Sequence, residues 1–379
     1  ELNGVTILHN ASFGPEPLAS IKTLYIVFNP LSIQHDRFHI REIYAEDPVF
    51  RLMFNRDRIS NLRIAGRPRR KRQNRDPASD EQMIRAVFNA LRVDHIAIKN
   101  GQFYLRYAPT DYALDVPEFQ MDARYSPSDD LYHTEISGGA VQNIIPEHLN
   151  SQADVSIKAN VWSGGVSHAL VTVTSNSGNF WLFSNCALEQ FSEPHLKFQG
   201  SAITDLHEIA RITALKSNLD GPAELFFTGN GPAENLDVTA ECSARNIRFN
   251  LFNFASFDGS VRYFDRTFTI REATGEAYRG TYHGSGAIAF IDETKSLNIE
   301  AIAENADLAA LTEDLRIPVQ FPSRCNTSLR ISGTGFKVED IQIDGFVSGI
   351  ETVGDSREPL MLFASYRMDG GLFEIPEAQ

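Results

Sequence analysis

Ser285 has the most enzyme-like surroundings in the chain, in the stretch YHGSGAIAF at residues 282–290. A serine nucleophile on a strained strand-to-helix turn needs the spacing Gly-x-Ser-x-Gly. Here Gly284 and Gly286 adjoin the serine directly, a pattern that reads as a turn between strands. His35 and His39 are four apart in a strand-like region, where that spacing separates them along one face, and no His-Glu-x-x-His occurs. Asp122, Asp129 and Asp130 are the carboxylates a glycosidase reading would use. Asp129 and Asp130 sit in SPSDD, a surface-turn composition. No helix pattern follows Gly229-Asn230-Gly231, so it makes no phosphate cradle. Cys186, Cys242 and Cys325 are far apart and match no zinc spacing. The expectation is a protein without catalytic residues, metal or cofactor.

The elements around these residues are strands. Leu236, Val238, Ala240, Cys242 and Ala244 alternate with Asp237, Thr239, Glu241, Ser243 and Arg245. That is an antiparallel strand with one wet face, on which Cys242 acts as a small hydrophobe. The phase shifts near Asn246, as at a bulge, and Ile247, Phe249 and Leu251 follow. Val261 and Tyr263 precede an Asp265-Arg266 turn, with Phe268 and Ile270 beyond it. Residues 246–270 hold six phenylalanines. So much aromatic surface fits either a closed core or an apolar trough, and periodicity does not choose between them.

Short strands recur along the chain. IKTLYIVFN and RFHIREIYAEDPVFRLMF open it. Asn100-Gly101 predicts a tight hairpin within residues 93–123. Residues 80–93 carry the clearest helical stripe, Met83, Val87, Phe88 and Leu91, capped by Ser79. AITDLHEIARI is either a second short helix, capped by Thr204, or a connecting turn. Two Gly-rich units, from Leu219 and from Ile317, resemble each other in style and suggest a quasi-repeating β protein. The basic run Arg67, Arg69, Arg70, Lys71, Arg72 is either a solvated loop or a contact for anionic head groups or a partner protein.

Across 379 residues the formal net charge is -14, which argues against nucleic acid as a partner. No run of about 20 apolar residues is present to span a bilayer as a helix. The chain starts at Glu1, so it is read as a mature form or an excised piece, with any anchor elsewhere.

Asp47-Pro48 and Asn61-Leu62 close the opening segment, which resembles the AsmA-like proteins of diderm bacterial envelopes. That family often has Gly just before the Asn, where this chain has Ile59-Ser60. Residues 93–123 resemble the next repeat, with Asn100-Gly101 at its turn. Residues 219–290, with Gly280 and Gly286, resemble the TamB-like repeat. The resemblance implies an all-β fold, a long, curved, twisted, mainly antiparallel sheet rolled into an apolar groove (a β-taco), with one or two short capping helices. It divides the chain into a strand unit at 1–62, a basic loop and helix at 63–92, groove repeats at 93–200 and 201–350, and a tail or edge strand at 351–379.

By the same resemblance the groove holds phospholipid acyl chains in the periplasm, within a bridge from inner to outer membrane. The inner-membrane anchor would lie outside this chain. Its lining would be Val238, Ala240, Cys242, Ala244, Ile247, Phe249, Leu251, Val261, Tyr263, Phe268 and Ile270. Two alternatives stay open. One is a scaffold that pairs its sheet edge with outer-membrane proteins during assembly. The other is a polysaccharide binder with an aromatic row drawn from Trp162 and Trp181.

Overall fold

The computed structural model describes residues 1–8, 13–29, 38–55, 61, 91–108, 112–144, 149–190, 194–208, 218–232, 235–249, 252–291, 294–314, 323–334, 340–351, 361–370 and 372–378. It is all-β, and its strands form open, curved, mainly antiparallel sheet that does not close into a barrel. The chain divides into two units. The first holds Glu1–Gly200, and the second holds Ser201–Ala210 and Leu215–Gln379.

In the first unit lie β1 (Leu2–Ile7), β2 (Ala19–Phe28), β3 (Phe38–Phe54), β4 (Leu91–Tyr107) and β5 (Tyr112–Ser126). They are followed by β6 (Leu131–Ile144), β7 (Leu149–Trp162), β8 (Gly165–Ser175), β9 (Phe180–Glu189) and the start of β10 (His195–Asp205). Alternation makes these strands. In β7, exposed Asp154, Ser156 and Lys158 interleave with half-buried Val155, Ile157 and Ala159.

Successive strands pair antiparallel except β3 and β4, which run parallel with Ile43 opposite Ile96. A parallel pair needs a crossover of a dozen residues or more, and the chain between Phe54 and Leu91 supplies that length. The helix expected at 80–93 falls mostly in that stretch, outside the described residues. Leu91, Arg92 and Val93 belong to β4.

The expected hairpin at Asn100-Gly101 is corrected: β4 runs straight through it. Asn100 does take positive φ (54°), as does Asp47 (50°) beside it on β3. Asn100 Nδ2 donates to Asp47 Oδ1 at 3.2 Å, and Lys22 Nζ donates to Asp47 Oδ2 at 2.9 Å. The left-handed residue bends the strand instead of reversing it. Gly101 follows and leaves room for the Phe119 ring, which a Cβ there would meet at 2.5 Å. Asp47-Pro48 is likewise a mid-strand bend, with Pro48 fully buried. Asn61, also fully buried, pairs like a strand residue. It donates from Nδ2 to the Arg51 carbonyl at 2.7 Å and accepts at Oδ1 from the Met53 amide at 3.0 Å.

The second unit holds the end of β10, then β11 (Leu219–Asp220), β12 (Pro222–Pro232), β13 (Asp237–Phe249), β14 (Phe252–Phe264), β15 (Thr267–Ala277) and β16 (Gly280–Ile291). After β17 (Thr294–Asp307) comes the helix α1 (Leu308–Asp314). The unit ends with β18 (Ser323–Gly333), β19 (Ile341–Glu351), β20 (Met361–Asp369) and β21 (Leu372–Ala378). Asp265-Arg266 forms a hairpin turn, both residues with positive φ, as read from sequence. Gly284-Ser285-Gly286, expected to turn, instead lies in the middle of β16.

In the stretch AITDLHEIARI the strand continues to Asp205, Leu206–Glu208 are helical, and the residues after Glu208 lie outside the described residues. Asp205, not Thr204, caps the turn, accepting from the His207 amide at 2.9 Å. At α1 the cap is Asp307, which accepts from the Ala309 and Ala310 amides at 3.1 and 3.3 Å. Asn253 Nδ2 donates to Asp314 at 2.7 Å and so ties α1 to the start of β14.

The chain exposes 24542 Å². A compact protein of its 42.3 kDa would expose about 15,000 Å². Strong contacts between elements join neighbouring strands, apart from those of α1 with β14 and β18.

Ion pairs across strands set a pH dependence. Hydrogen bonds from Arg262 hold Asp237 below its ordinary 3.8, and those from Ser243 and Arg245 do the same for Asp258. Burial opposes the shift of Asp122, but hydrogen bonds from His95 and Arg124 together outweigh it. These carboxylates have depressed folded values, so their contribution is full above pH 4 or so. It is lost as pH falls through the ordinary value toward the depressed one. The urea midpoint should hold steady from pH 7 to 5 and drop by pH 3, and Asp258→Asn should flatten that drop.

Candidate functional site

Register places the apolar residues of the second unit on one face. Directly opposed residues in antiparallel strands share a face, and alternate residues along a strand do too. One row crosses the sheet through Ala240, Val261, Ile270, Gly286, Ile299, Ile331, Ile343 and Met368. It spans eight strands, about 34 Å at the usual strand spacing. The next row is smaller: Cys242, Gly259, Ala273, Gly284, Ala301, Leu329 and Gly345. Val238, Tyr263, Phe268, Ile288 and Leu297 make a further row on the other side of the first. Most of these side chains are half-buried, and Phe268 is 40% exposed.

Bulges keep this face continuous. Asn246 (φ 49°) flips the phase of β13, so that buried Ile247 joins Ala223 and Ala244 in one cluster with Leu206, Leu219, Phe254 and Phe257. Asn305 (φ 56°) acts likewise in β17, where the pairing Ala303↔Thr327 is followed by Ala306↔Cys325. In β15 an extra residue at Arg271-Glu272 leaves both Ile270 and Ala273 on the apolar side.

Aromatic rings lie over glycines and smooth the floor. A Cβ on Gly259 would meet the Phe257 ring at 2.8 Å, and one on Gly345 the Tyr366 ring at 2.2 Å. Tyr282 reaches across Gly275 to donate to the Ser256 carbonyl at 2.8 Å. Burial pushes its phenol up to about 12.

The first unit repeats the arrangement. Ile98, Met121, Ile136, Ile157 and Val171 form one row across β4–β8. Phe119, Gly138, Val155, Val173 and Leu182 form the next. The opposite faces carry ion pairs, and in the second unit also exposed Phe226, Ile302, Phe346 and Phe363. Arg262 holds Asp237 through two bonds of 2.8 and 2.7 Å, and Lys158 meets Glu135 at 3.2 Å.

The residues that invited a catalytic reading are dispersed. Ser285 is exposed mid-strand opposite Glu300, not at a sharp turn. Asp129 accepts from Ser126 in the β5–β6 turn, while Asp122 is bonded to His95 at 2.7 Å. His39 bonds Asp94 at 2.7 Å, and His35 lies outside the described residues. Among the described residues no three His, Cys, Asp or Glu side chains are grouped as a metal would need. No described helix is long and apolar enough to cross a membrane.

Of the lining residues expected from sequence, Val238, Ala240, Cys242, Ala244, Val261, Tyr263, Phe268 and Ile270 share the apolar face, and Ile247 packs with Ala244. Phe249 sits opposite Phe252 at the margin, 38% exposed. Leu251 and the basic residues Arg67, Arg69, Arg70, Lys71 and Arg72 lie outside the described residues. The expectation missed the continuation of the face through β16–β20 and the whole first-unit face. Their signal was present in alternations such as Leu297, Ile299, Ala301 and Ala303.

Comparison with family models, curated proteins and solved structures returns no match.

Proposed function

We propose that the apolar sheet face binds lipid acyl chains and that the chain is a groove segment of a phospholipid conduit. One observation carries this reading: among the described residues the apolar rows run unbroken across neighbouring strands and stay half-exposed. A face of this kind needs an apolar cover. An acyl chain contributes about 0.8 kcal/mol per buried methylene, on the order of 10 kcal/mol before ordering costs. The resemblance to AsmA-like and TamB-like proteins supplies the setting, a periplasmic bridge from inner to outer membrane. The protein would act without chemistry of its own, by holding chains against rows of Ile, Ala and Gly.

Native mass spectrometry of detergent-free protein, with lipid extraction of the same sample, tests the proposal. Phospholipid should co-purify. Cys242 lies in the row of small residues, and burial, reinforced by Asp258, already raises its thiol above the ordinary value. Bound lipid should slow its alkylation further, and delipidation should restore the rate. A protein that is empty and also refuses labelled phospholipid would leave the strand-pairing scaffold as the better reading.

A further inference from the structure

The polar face of the first unit carries a second feature, which the lipid reading does not use. Trp181 and Phe183 are two residues apart on β9, with Leu182 between them pointing to the apolar side. Their rings are nearly parallel, 9° apart in plane, with centroids 6.3 Å apart. They are 38% and 37% exposed, and the residues beside them across β8 and β7 are Thr174, Asp154, Thr172 and Ser156.

Two rows lead away from them across β8, β7, β6 and β5. From Phe183 runs Thr172, Ser156, Ser137 and Gln120. From Trp181 runs Thr174, Asp154, Gly139 and Glu118. The eight polar-side residues of these rows line a depression of 440 Å³. That size is within the range of small-molecule sites. Its floor is low because the side chains are small. Crossing five strands, the rows extend about 19 Å.

We propose that this trough binds a neutral, extended oligosaccharide. The two exposed rings offer apolar surface against which a sugar ring can pack. The hydroxyls of Ser137, Ser156, Thr172 and Thr174 and the carboxylate of Asp154 supply donors and acceptors along the chain of sugars. The lining contains Asp154 and Glu118 and no Lys or Arg, which disfavours anionic glycans. A β-1,4-linked tetrasaccharide is extended and suits rows of this length. Trp162, the other tryptophan, does not join the row: its ring covers Gly164, where a Cβ would lie 2.3 Å away.

Binding of cellotetraose and chitotetraose to the full chain tests this, by calorimetry and by tryptophan fluorescence. With two tryptophans in the chain, a Trp162→Phe background isolates the Trp181 signal. Both sugars should quench or shift that signal, with binding unchanged by delipidation. Trp181→Ala and Phe183→Ala should each weaken binding roughly tenfold. Asp154→Asn, an exposed and near-isosteric change, should weaken it less while leaving the melting temperature in place. The proposal is overturned if neither tetrasaccharide binds at millimolar concentration, if affinity survives loss of both rings, or if an anionic glycan binds more tightly. None of these results bears on the apolar face.

Discussion

Replacing Ile270 and Ile299 together by Asp is expected to remove bound phospholipid, with the affinity for a labelled phospholipid falling at least a hundredfold. The two residues stand in one row on either side of Gly286, near the middle of the apolar face. Ile299 leans over Gly286, where a Cβ would lie 2.8 Å from Ile299 Cγ1. Both positions are half-buried, so an empty protein can still hydrate two carboxylates there. A bound acyl chain would strip that water. A charge held against hydrocarbon costs about 2.5–3.5 kcal/mol at the low end of measured scales. One such penalty is roughly 60- to 300-fold in affinity, and two together exceed a hundredfold.

The decisive control uses the same strands. Thr269 and Asn298 are each one residue away and face the other side. Because the side-chain period is two, Thr269→Asp with Asn298→Asp adds equal charge to the polar face. That pair should bind phospholipid as the unaltered protein does. Equal loss in both pairs would mean that charge acts through stability or repulsion, and the lipid reading would fall.

Much of the face can be read from the alternation of Val238 to Ala244 against Asp237 to Arg245. The phase slip at Asn246 is legible too, because a left-handed Asn and a change of apolar parity occur together. Three things are not legible. Strand direction is one: Ile43 and Ile96 alternate identically whether β3 and β4 run parallel or antiparallel. The meaning of Asn-Gly is another. At Asn100-Gly101 the positive φ is as expected, but the bend is shared with Asp47 on a neighbouring strand distant in sequence, and the chain continues. Conversely, Tyr278-Arg279 turns β15 into β16 with positive φ at both residues, neither of them Gly or Asn. The third is α1. Its seven residues make too few turns for a helical stripe, and its position depends on Asp307 as cap and Asn253 as tether.

The glycines were the least legible. A sequence reading takes Gly-Ser-Gly for a turn, because local propensity says so. In this fold a strand glycine makes room for a neighbour's ring or backbone, and that neighbour is known only once register is known.

Gly275→Val is therefore expected to destabilise the second unit by about 3–5 kcal/mol. A Cβ at this position would lie 2.1 Å from the Ser256 carbonyl oxygen and 2.6 Å from Tyr282 Oη. The first contact is with backbone, so the strand itself must move. The second displaces a ring that reaches from β16 over β15 to β14. Its hydrogen bond of 2.8 Å to Ser256 would break, leaving a half-buried phenol without its acceptor. Two graded variants separate these effects. Tyr282→Phe keeps the ring and loses the bond, at a cost of about 1 kcal/mol. Gly275→Ala brings the steric contact with the least added volume and should fall between Tyr282→Phe and Gly275→Val. The melting temperature of Gly275→Val should drop by roughly 10 °C, at the usual 2–4 °C per kcal/mol for a unit of this size. An unchanged melting temperature would mean that β14, β15 and β16 do not meet in this register. The apolar rows drawn through Val261, Ile270 and Gly286 would then have to be redrawn, because they depend on the same pairing.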